Sequence, residues 1–328
     1  MKKHKFFLKK RIIEFIFFGN YFYAVCALSL AIESSLQQSI GLNKFVFYLL
    51  ITSATIVYYT YAYMGEISFR IAFGEKKIKL TPPKKYNYYN RRTEWYQRND
   101  RLLNITQSFF LFVSMVCALD LAVLEYHHIF SLHLSEWLML LSVPVVALLY
   151  YGNSFFPVFA INLRKTGWVK PFVVGFVWAG AVTIYPPMFH QWQNDLHYSF
   201  SFLVFWLFVK NWMYISVLAI MFDIKDYADD ANRDLKTFVV RVGLRKTIFM
   251  ILLPLIIIGL IAFSIFAFEL SFSIPRYLVN LIPFLLLFAV AYSMHRRRPI
   301  LFYLIIIDGL MLVKGIAGII GAVLFSRA

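Results

Sequence analysis

The sequence predicts an all-α protein that crosses a membrane several times, and three observations support this fold class. Hydrophobic residues make up 60% of the 328 residues, and only 15% are charged. A soluble domain carries roughly 25% charged residues, so a soluble globular enzyme is excluded. The apolar residues form long runs, and the two cysteines, Cys26 and Cys117, lie inside such runs, which excludes a disulfide scaffold.

Nine apolar runs approach the roughly 20 residues that a helix needs to cross a bilayer. Acidic residues directly follow the first, second, sixth and seventh runs, and polar segments with histidine, asparagine, glycine or proline separate most of the others. The first run contains Glu14 and Asn20 and precedes eight more, so it is a span rather than a signal peptide. The predicted spans, within a single membrane domain over 1–328, are residues 12–32, 43–65, 103–123, 135–160, 169–188, 199–222, 247–268, 277–294 and 300–324.

The distribution of basic residues predicts the orientation. If the N-terminus is inside and the C-terminus outside, the inner segments hold 28 of the 33 lysines and arginines. Cytoplasmic loops carry such an excess, so we expect an integral protein of the bacterial cytoplasmic (inner) membrane. The net charge of +16 is then explained by anionic membrane lipids, without nucleic acid as a partner. The inner segments are residues 1–11, 66–102, 161–170, 223–246 and 295–299.

The carboxylates are unevenly distributed along the chain. Five of the 17 acidic residues fall within twelve residues at the end of the sixth span. At about 100° per residue, positions 223, 226, 230 and 234 lie on one helical face. Such a column of like charges is destabilising unless a cation lies between the carboxylates, and Mg²⁺ prefers oxygen ligands of this kind.

Basic residues alternate with these acids or follow them, and their N–H donors suit phosphate oxygens. The combination predicts a Mg²⁺–diphosphate site at the membrane surface. The spacing also allows a solvated helix end with salt bridges, such as one between Asp229 and Arg233. The basic residues are Lys225, Arg233, Lys236, Arg241 and Arg245.

The segment DIKDYADDANRDLKTFVVRVG, residues 223–243, resembles the second aspartate motif of the UbiA superfamily of intramembrane prenyltransferases. That motif reads D-x-x-D-x-x-x-D, then G-x-x-T and R-x-G. Asp223, Asp226 and Asp230 match the three acids, whereas Asp234 stands at the position of the first glycine. The later positions are matched by Thr237, Arg241 and Gly243.

Two further segments are similar to the same family. LRKTGWVKPFVVGFVWA, from Leu163 to Ala179, is similar to the segment before and within the fifth span, with Arg164 and Lys170 at its basic positions. Asn20 is similar to an asparagine of the first span. With nine spans and the motif after the sixth, the resemblance covers nearly the whole chain.

The stretch that corresponds to the family's first motif, N-x-x-x-D-x-x-x-D, departs from it. Here YYTYAYMGEISFR, residues 58–70, contains Glu66 as its only acid. The alternatives are a substitute acid (Glu66, Glu94 or Asp100), a site with one metal ion, a site in which basic residues bind the diphosphate, and loss of the chemistry. Four tyrosines cluster in this stretch, where the first motif is expected to face the cavity: Tyr58, Tyr59, Tyr61 and Tyr63.

The resemblance implies transfer of an isoprenoid group from a prenyl diphosphate to a lipid-soluble acceptor, assisted by Mg²⁺, at the cytoplasmic side. Asp223, Asp226 and Asp230 are then the catalytic residues and Mg²⁺ ligands, with Glu66 as a further candidate ligand. The implied partners are the two substrates and membrane lipids, and no protein partner is implied. The implied substrate-binding residues are Asn20, Arg164, Lys170, Lys236, Arg241, Tyr59 and Tyr63.

Lys210 and Asp308 lie near the middle of predicted spans, where charged residues are functional candidates. We expect an ion pair between them that holds the sixth span against the ninth. The alternative function is a non-catalytic membrane protein of the same fold, or a small transporter, that uses these two charges.

Several histidines lie in or beside the outer loops between the third and sixth spans. They are candidates for a metal site, but their spacing is not typical of metal ligands, and a solvated loop is the favoured interpretation. The histidines are His127, His128, His133, His190 and His197.

Overall fold

The computed structural model is all helix, turn and coil in the residues that it describes, with no strand among them, which confirms the all-α prediction. Six helices are long and apolar enough to cross a membrane, or seven if the first two, bent by 57°, form one span. The described residues are 11–64, 91–124, 131–151, 163, 166–232, 235–296, 298–299 and 302–325.

Each predicted span contains one helix, except the first, which contains a bent pair. In two of the helices, α3 and α6, the apolar segment is at most 17 residues long: Phe45–Tyr61 and Leu134–Tyr150. The count of nine spans therefore stays a prediction. The helices are α1 (Arg11–Phe18), α2 (Tyr21–Gln37), α3 (Phe45–Met64), α4 (Arg91–Arg98), α5 (Asp100–Leu124), α6 (Leu134–Tyr151), α7 (Lys170–Trp192), α8 (Phe202–Lys225), α9 (Tyr227–Asn232), α10 (Phe238–Val242), α11 (Leu244–Glu269), α12 (Ile274–Ser293) and α13 (Tyr303–Leu324).

The chain divides into two compact units. The first comprises Met1–Leu28 and Phe45–Leu124, and the second comprises Ser29–Lys44 and Glu125–Ala328. In the first unit α3 packs against α5, and in the second α8 packs along α7 and α11 while α12 packs against α13. The organisation as a single membrane domain over 1–328 stays a prediction.

In the first unit, Asn20 separates α1 from α2. Its φ of 66° is left-handed, a conformation that asparagine tolerates better than most residues. Its Nδ2 donates to Thr60 Oγ1 (3.1 Å) and to the Tyr96 hydroxyl (3.0 Å). Its Oδ1 accepts a hydrogen bond from Arg92 (2.6 Å). The buried amide therefore ties the bend to α3 and α4.

In the second unit, a buried carboxylate joins three helices. Glu33 of α2 lies between two lysines, with its Oε1 2.8 Å from Lys210 Nζ of α8 and its Oε2 2.7 Å from Lys314 Nζ of α13. None of the three side chains is more than 3% exposed. Gly318 of α13 lies so close to the Glu33 side chain that a Cβ there would collide with it. The absence of a side chain at Gly318 therefore allows α13 to approach α2.

The predicted ion pair between Lys210 and Asp308 is wrong, because Lys210 pairs with Glu33. Helix α2 continues past residue 32, the predicted end of the first span, to Gln37. Gln37 is buried and donates from Nε2 to Asn280 Oδ1 (2.8 Å), so the polar end of α2 has partners inside the protein. A buried and paired Lys210 supports a structural role rather than the transporter alternative.

We predict that Glu33→Gln lowers the free energy of unfolding by about 3–5 kcal/mol, because it leaves two ammonium groups buried without a carboxylate. Lys314→Met should cost clearly less, because Glu33 and Lys210 still form a neutral pair. Unfolding of both variants in detergent micelles measures the difference. Equal destabilisation by the two substitutions would contradict this account of the triad.

Candidate active site

The aspartates of the motif lie where α8 ends. Asp223 lies in the last turn of α8 and is 1% exposed, and Asp226 occupies the C-cap position with φ −89° and ψ 7°. Asp230 lies in the short helix α9 and is also buried. The predicted column on one continuous helix is therefore wrong, because α8 stops at Asp226. Asp226 pairs with its neighbour Lys225 (2.8 Å), and Asp234 lies outside the described residues.

A lysine from a second helix faces the first of these acids. Lys170 begins α7, and its Nζ lies 2.5 Å from Asp223 Oδ1. Pro171 follows in the first helical turn, where a missing N–H costs little. Trp212 of α8 donates from Nε1 to the Phe172 carbonyl (2.8 Å), which fastens the start of α7 to α8. The structure thus brings together two predicted site residues that are 53 positions apart in the chain.

The segment after α9 returns to the loop before α7. Thr237 is buried, and Lys236 beside it is exposed. Gly167 lies against their backbone, and a Cβ at this glycine would come within 2.5 Å of the Lys236 carbonyl carbon and the Thr237 nitrogen. Only glycine fits this position without a shift of the backbone. The close approach places Thr237 beside the loop that leads to Lys170.

At this cluster the buried oxygen atoms Asp223 Oδ2 and Thr237 Oγ1 have no hydrogen-bond partner among the residues that the structure describes. A buried carboxylate oxygen without a donor is costly unless a cation or a ligand donor meets it. Carboxylate oxygens are the ligands that Mg²⁺ prefers, so these residues fit a hard divalent cation. Asp223 and Asp230 are buried, which is not expected of a solvated helix end. The salt bridge predicted for such an end involves the Asp229 side chain and Arg233, which lie outside the described part of the chain.

Basic side chains lie on the returning segment. Lys236 is exposed just before Thr237, and Arg241 is exposed one helical turn after it, where the Arg241 N–H donates to the Thr237 carbonyl (2.9 Å). Exposed ammonium and guanidinium groups are available to bind phosphate oxygens. Arg164 lies outside the described residues.

The other predicted site residues lie in the first unit or outside the described residues. The Tyr59 ring stacks on Tyr23 with centroids 4.4 Å apart. The amide of Asn20 is bonded to three side chains within the first unit, which gives it a structural role there. The backbone of Tyr63 is helical, but its side chain and all of Glu66 lie outside the described residues. The substrate or metal roles of these residues stay predictions.

The sequence pattern did not single out two buried acids. Glu33 directly follows the predicted span 12–32, and Glu136 lies inside the apolar run of the predicted span 135–160. Glu136 is 0% exposed and accepts a hydrogen bond from Trp192 Nε1 (2.9 Å), at the opposite end of α7 from Lys170. One feature of the sequence could have indicated a role for Glu136: it lies three residues after His133, a spacing typical of a side chain that caps the start of a helix.

These features together describe a helical integral membrane protein with buried aspartates and a paired lysine at the end of one helix. The sequence model of the UbiA prenyltransferase family matches residues 91–301, almost two thirds of the chain. The protein therefore belongs to the UbiA prenyltransferase family. Membership supports prenyltransferase activity in general.

A solved structure of a digeranylgeranylglyceryl phosphate synthase is similar to this protein. The TM-score is 0.53, and the match covers 96% of this chain and 100% of the other. The two sequences are 11% identical, so the similarity shows a shared fold only. No curated protein sequence matches the chain. The family and fold class predicted from the sequence are thus confirmed.

We predict that Lys170→Met, measured without divalent cations, lowers the free energy of unfolding by about 1–3 kcal/mol, because Asp223 is left buried without its cation. Adding Asp223→Asn should recover part of this loss, since the double variant no longer buries an unpaired charge. A double-mutant cycle on unfolding in micelles measures the coupling. Additive effects of the two substitutions would show that the pair is energetically unimportant.

Proposed function

We propose that the protein transfers an isoprenoid group from a prenyl diphosphate to a lipid-soluble acceptor within the membrane. The cluster at the end of α8 supports this most directly, because buried Asp223 faces Lys170 and three further aspartates follow within seven residues. Carboxylates beside exposed basic side chains suit a diphosphate that carries a divalent cation. Family membership independently supports prenyl transfer.

In this proposal Asp223, Asp226 and Asp230 hold Mg²⁺, with Glu66 as a further candidate ligand. When bound, Mg²⁺ supplies positive charge that stabilises the diphosphate as it departs. The buried Asp223 Oδ2, which lacks a hydrogen-bond partner among the described residues, supports this role.

The basic side chains bind the diphosphate in the proposed site. Lys170 is 24% exposed at the start of α7, so its ammonium can reach a ligand while it remains close to Asp223. Lys236 and Arg241 are exposed on the returning segment, and Arg164 completes the proposed set. Their N–H donors stabilise the oxygen atoms of the leaving diphosphate as the bond to the isoprenoid carbon breaks. The acceptor forms the new bond to that carbon and releases a proton.

The isoprenoid part of the donor requires an apolar environment. We assign Tyr59 and Tyr63 of α3 to this role, because aromatic faces attract an allylic cation. Asn20 is proposed to bind substrate in addition to its structural bonds.

The proposed site opens to the cytoplasmic side of a bacterial inner membrane, with the N-terminus inside and the C-terminus outside. Lys170 and the segment from Asp223 to Lys246 belong to connections that carry most of the basic residues. The positive-inside rule supports this orientation.

We predict that Mg²⁺ together with farnesyl or geranylgeranyl diphosphate raises the stability of the detergent-purified protein. A ligand that binds only the folded state stabilises it by about 2.7 kcal/mol at a hundredfold excess over Kd. Asp226→Asn should abolish the Mg²⁺-dependent part of the shift. Thermal unfolding with each ligand alone and with both ligands measures it.

Asp195→Asn is the matched control, because Asp195 is an exposed aspartate between α7 and α8, at the end of α8 opposite to Asp226. It should retain the full shift. Inorganic diphosphate in place of the prenyl diphosphate separates recognition of the diphosphate from recognition of the isoprenoid. Absence of a shift with either prenyl diphosphate, or an equal shift in Asp226→Asn, would refute the proposed function.

A further inference from the structure

Two histidines and a glutamate meet at the ends of α7 and α8 that lie opposite to the aspartates. His133 directly precedes α6, Glu136 lies in its first turn, and His197 lies between α7 and α8. One potential ligand atom from each side chain lies within 4.8 Å of the other two. Helix α7 extends about 30 Å from the diphosphate site to this end. The cluster is therefore separate from the proposed active site and does not rest on the proposed function.

Glu136 is held rigidly by donors from three parts of the second unit. Its Oε1 accepts hydrogen bonds from Trp192 Nε1 (2.9 Å) and the Tyr198 backbone N–H (2.8 Å). Its Oε2 accepts one from the His133 backbone N–H (2.9 Å). Such donors orient a metal-binding carboxylate. The same Oε2 lies 3.0 Å from His197 Nδ1, so it faces an imidazole.

The two imidazoles lie side by side at the surface. The rings of His133 and His197 stack with centroids 4.3 Å apart and planes inclined by 19°. Both side chains are exposed, whereas Glu136 is completely buried. Two exposed nitrogen ligands therefore flank one fixed oxygen ligand, and a water molecule can approach from the exposed side.

We propose that His133, Glu136 and His197 bind a divalent transition-metal ion of the zinc type, with water as the fourth ligand. Zinc sites with bonds of about 2.0–2.2 Å place tetrahedral ligand atoms about 3.3 Å apart. The distance of 3.0 Å between Glu136 Oε2 and His197 Nδ1 is already close to this value. Rotation of the exposed His133 side chain closes the remaining gap. The ion takes the place of the proton that His197 shares with Glu136.

The ligand types distinguish this site from the aspartate site. Imidazole nitrogen suits zinc and other first-row transition metals, whereas Mg²⁺ and Ca²⁺ prefer oxygen ligands throughout. The two sites should therefore select different ions in the same protein. A bound ion would tie the start of α6 to the segment between α7 and α8 and so stabilise this end of the second unit.

The test uses the full chain without a histidine tag, treated with a chelator and returned to buffer with excess Mg²⁺. Zinc is then titrated, bound metal is measured by elemental analysis after dialysis, and thermal unfolding is recorded with and without zinc. The variants are His133→Gln and His197→Gln. The matched control is His295→Gln, because His295 is also exposed but follows α12, outside the cluster.

We expect one zinc ion per chain with micromolar affinity and a rise in the melting temperature for the unmodified protein and for His295→Gln. Each cluster variant should bind zinc at least about tenfold more weakly and lose the thermal shift. Equal zinc binding by the cluster variants, or no zinc binding by the unmodified protein, would overturn the proposal. Absorption of the Co²⁺-loaded unmodified protein gives a second test that needs no variant: visible bands of tetrahedral cobalt support the site, and their absence refutes it.

Discussion

The second unit depends on the pairing of one buried carboxylate. Glu33 accepts hydrogen bonds from Lys210 and Lys314, so α2, α8 and α13 must meet at one point. Each of these charges would be costly in the protein interior without a partner. A shift of one residue along α8 would turn Lys210 by about 100° away from the carboxylate. The triad therefore restricts both the rotation and the axial position of α8.

The same helix carries the candidate site, so the two features are linked. Asp223 lies 13 residues after Lys210, or about 20 Å further along α8. The axial position that suits Lys210 also places Asp223 against Lys170 of α7. At the far end of α7, Trp192 binds the buried carboxylate of Glu136. In each case a buried acid binds donors from other helices, and these polar contacts define which helical faces meet.

Short segments of the sequence predicted much of the fold and part of the site. Most span positions follow from runs of neighbouring residues, and the acids at 223–230 stand out because they are close together in the chain. Helix α2 continues past Glu33 because this charge has partners inside the protein. The partners of Glu33 lie 177 and 281 residues away, and a run of neighbouring residues carries no information about them. The sequence offered His133 and His197 as candidate metal ligands but not Glu136 as their partner, since Glu136 and His197 are 61 positions apart.

Composition and short motifs are enough to identify an all-α membrane protein with an acidic and basic motif at the end of a span. These are local properties, so they can be read along the chain. Helix packing is needed to show which charges meet: Lys210 with Glu33 rather than with Asp308, and Lys170 with Asp223. An ion pair or a metal site depends on distances of a few ångströms between side chains on different helices. Those distances are set by helix packing, and many pairings are compatible with the same pattern of spans.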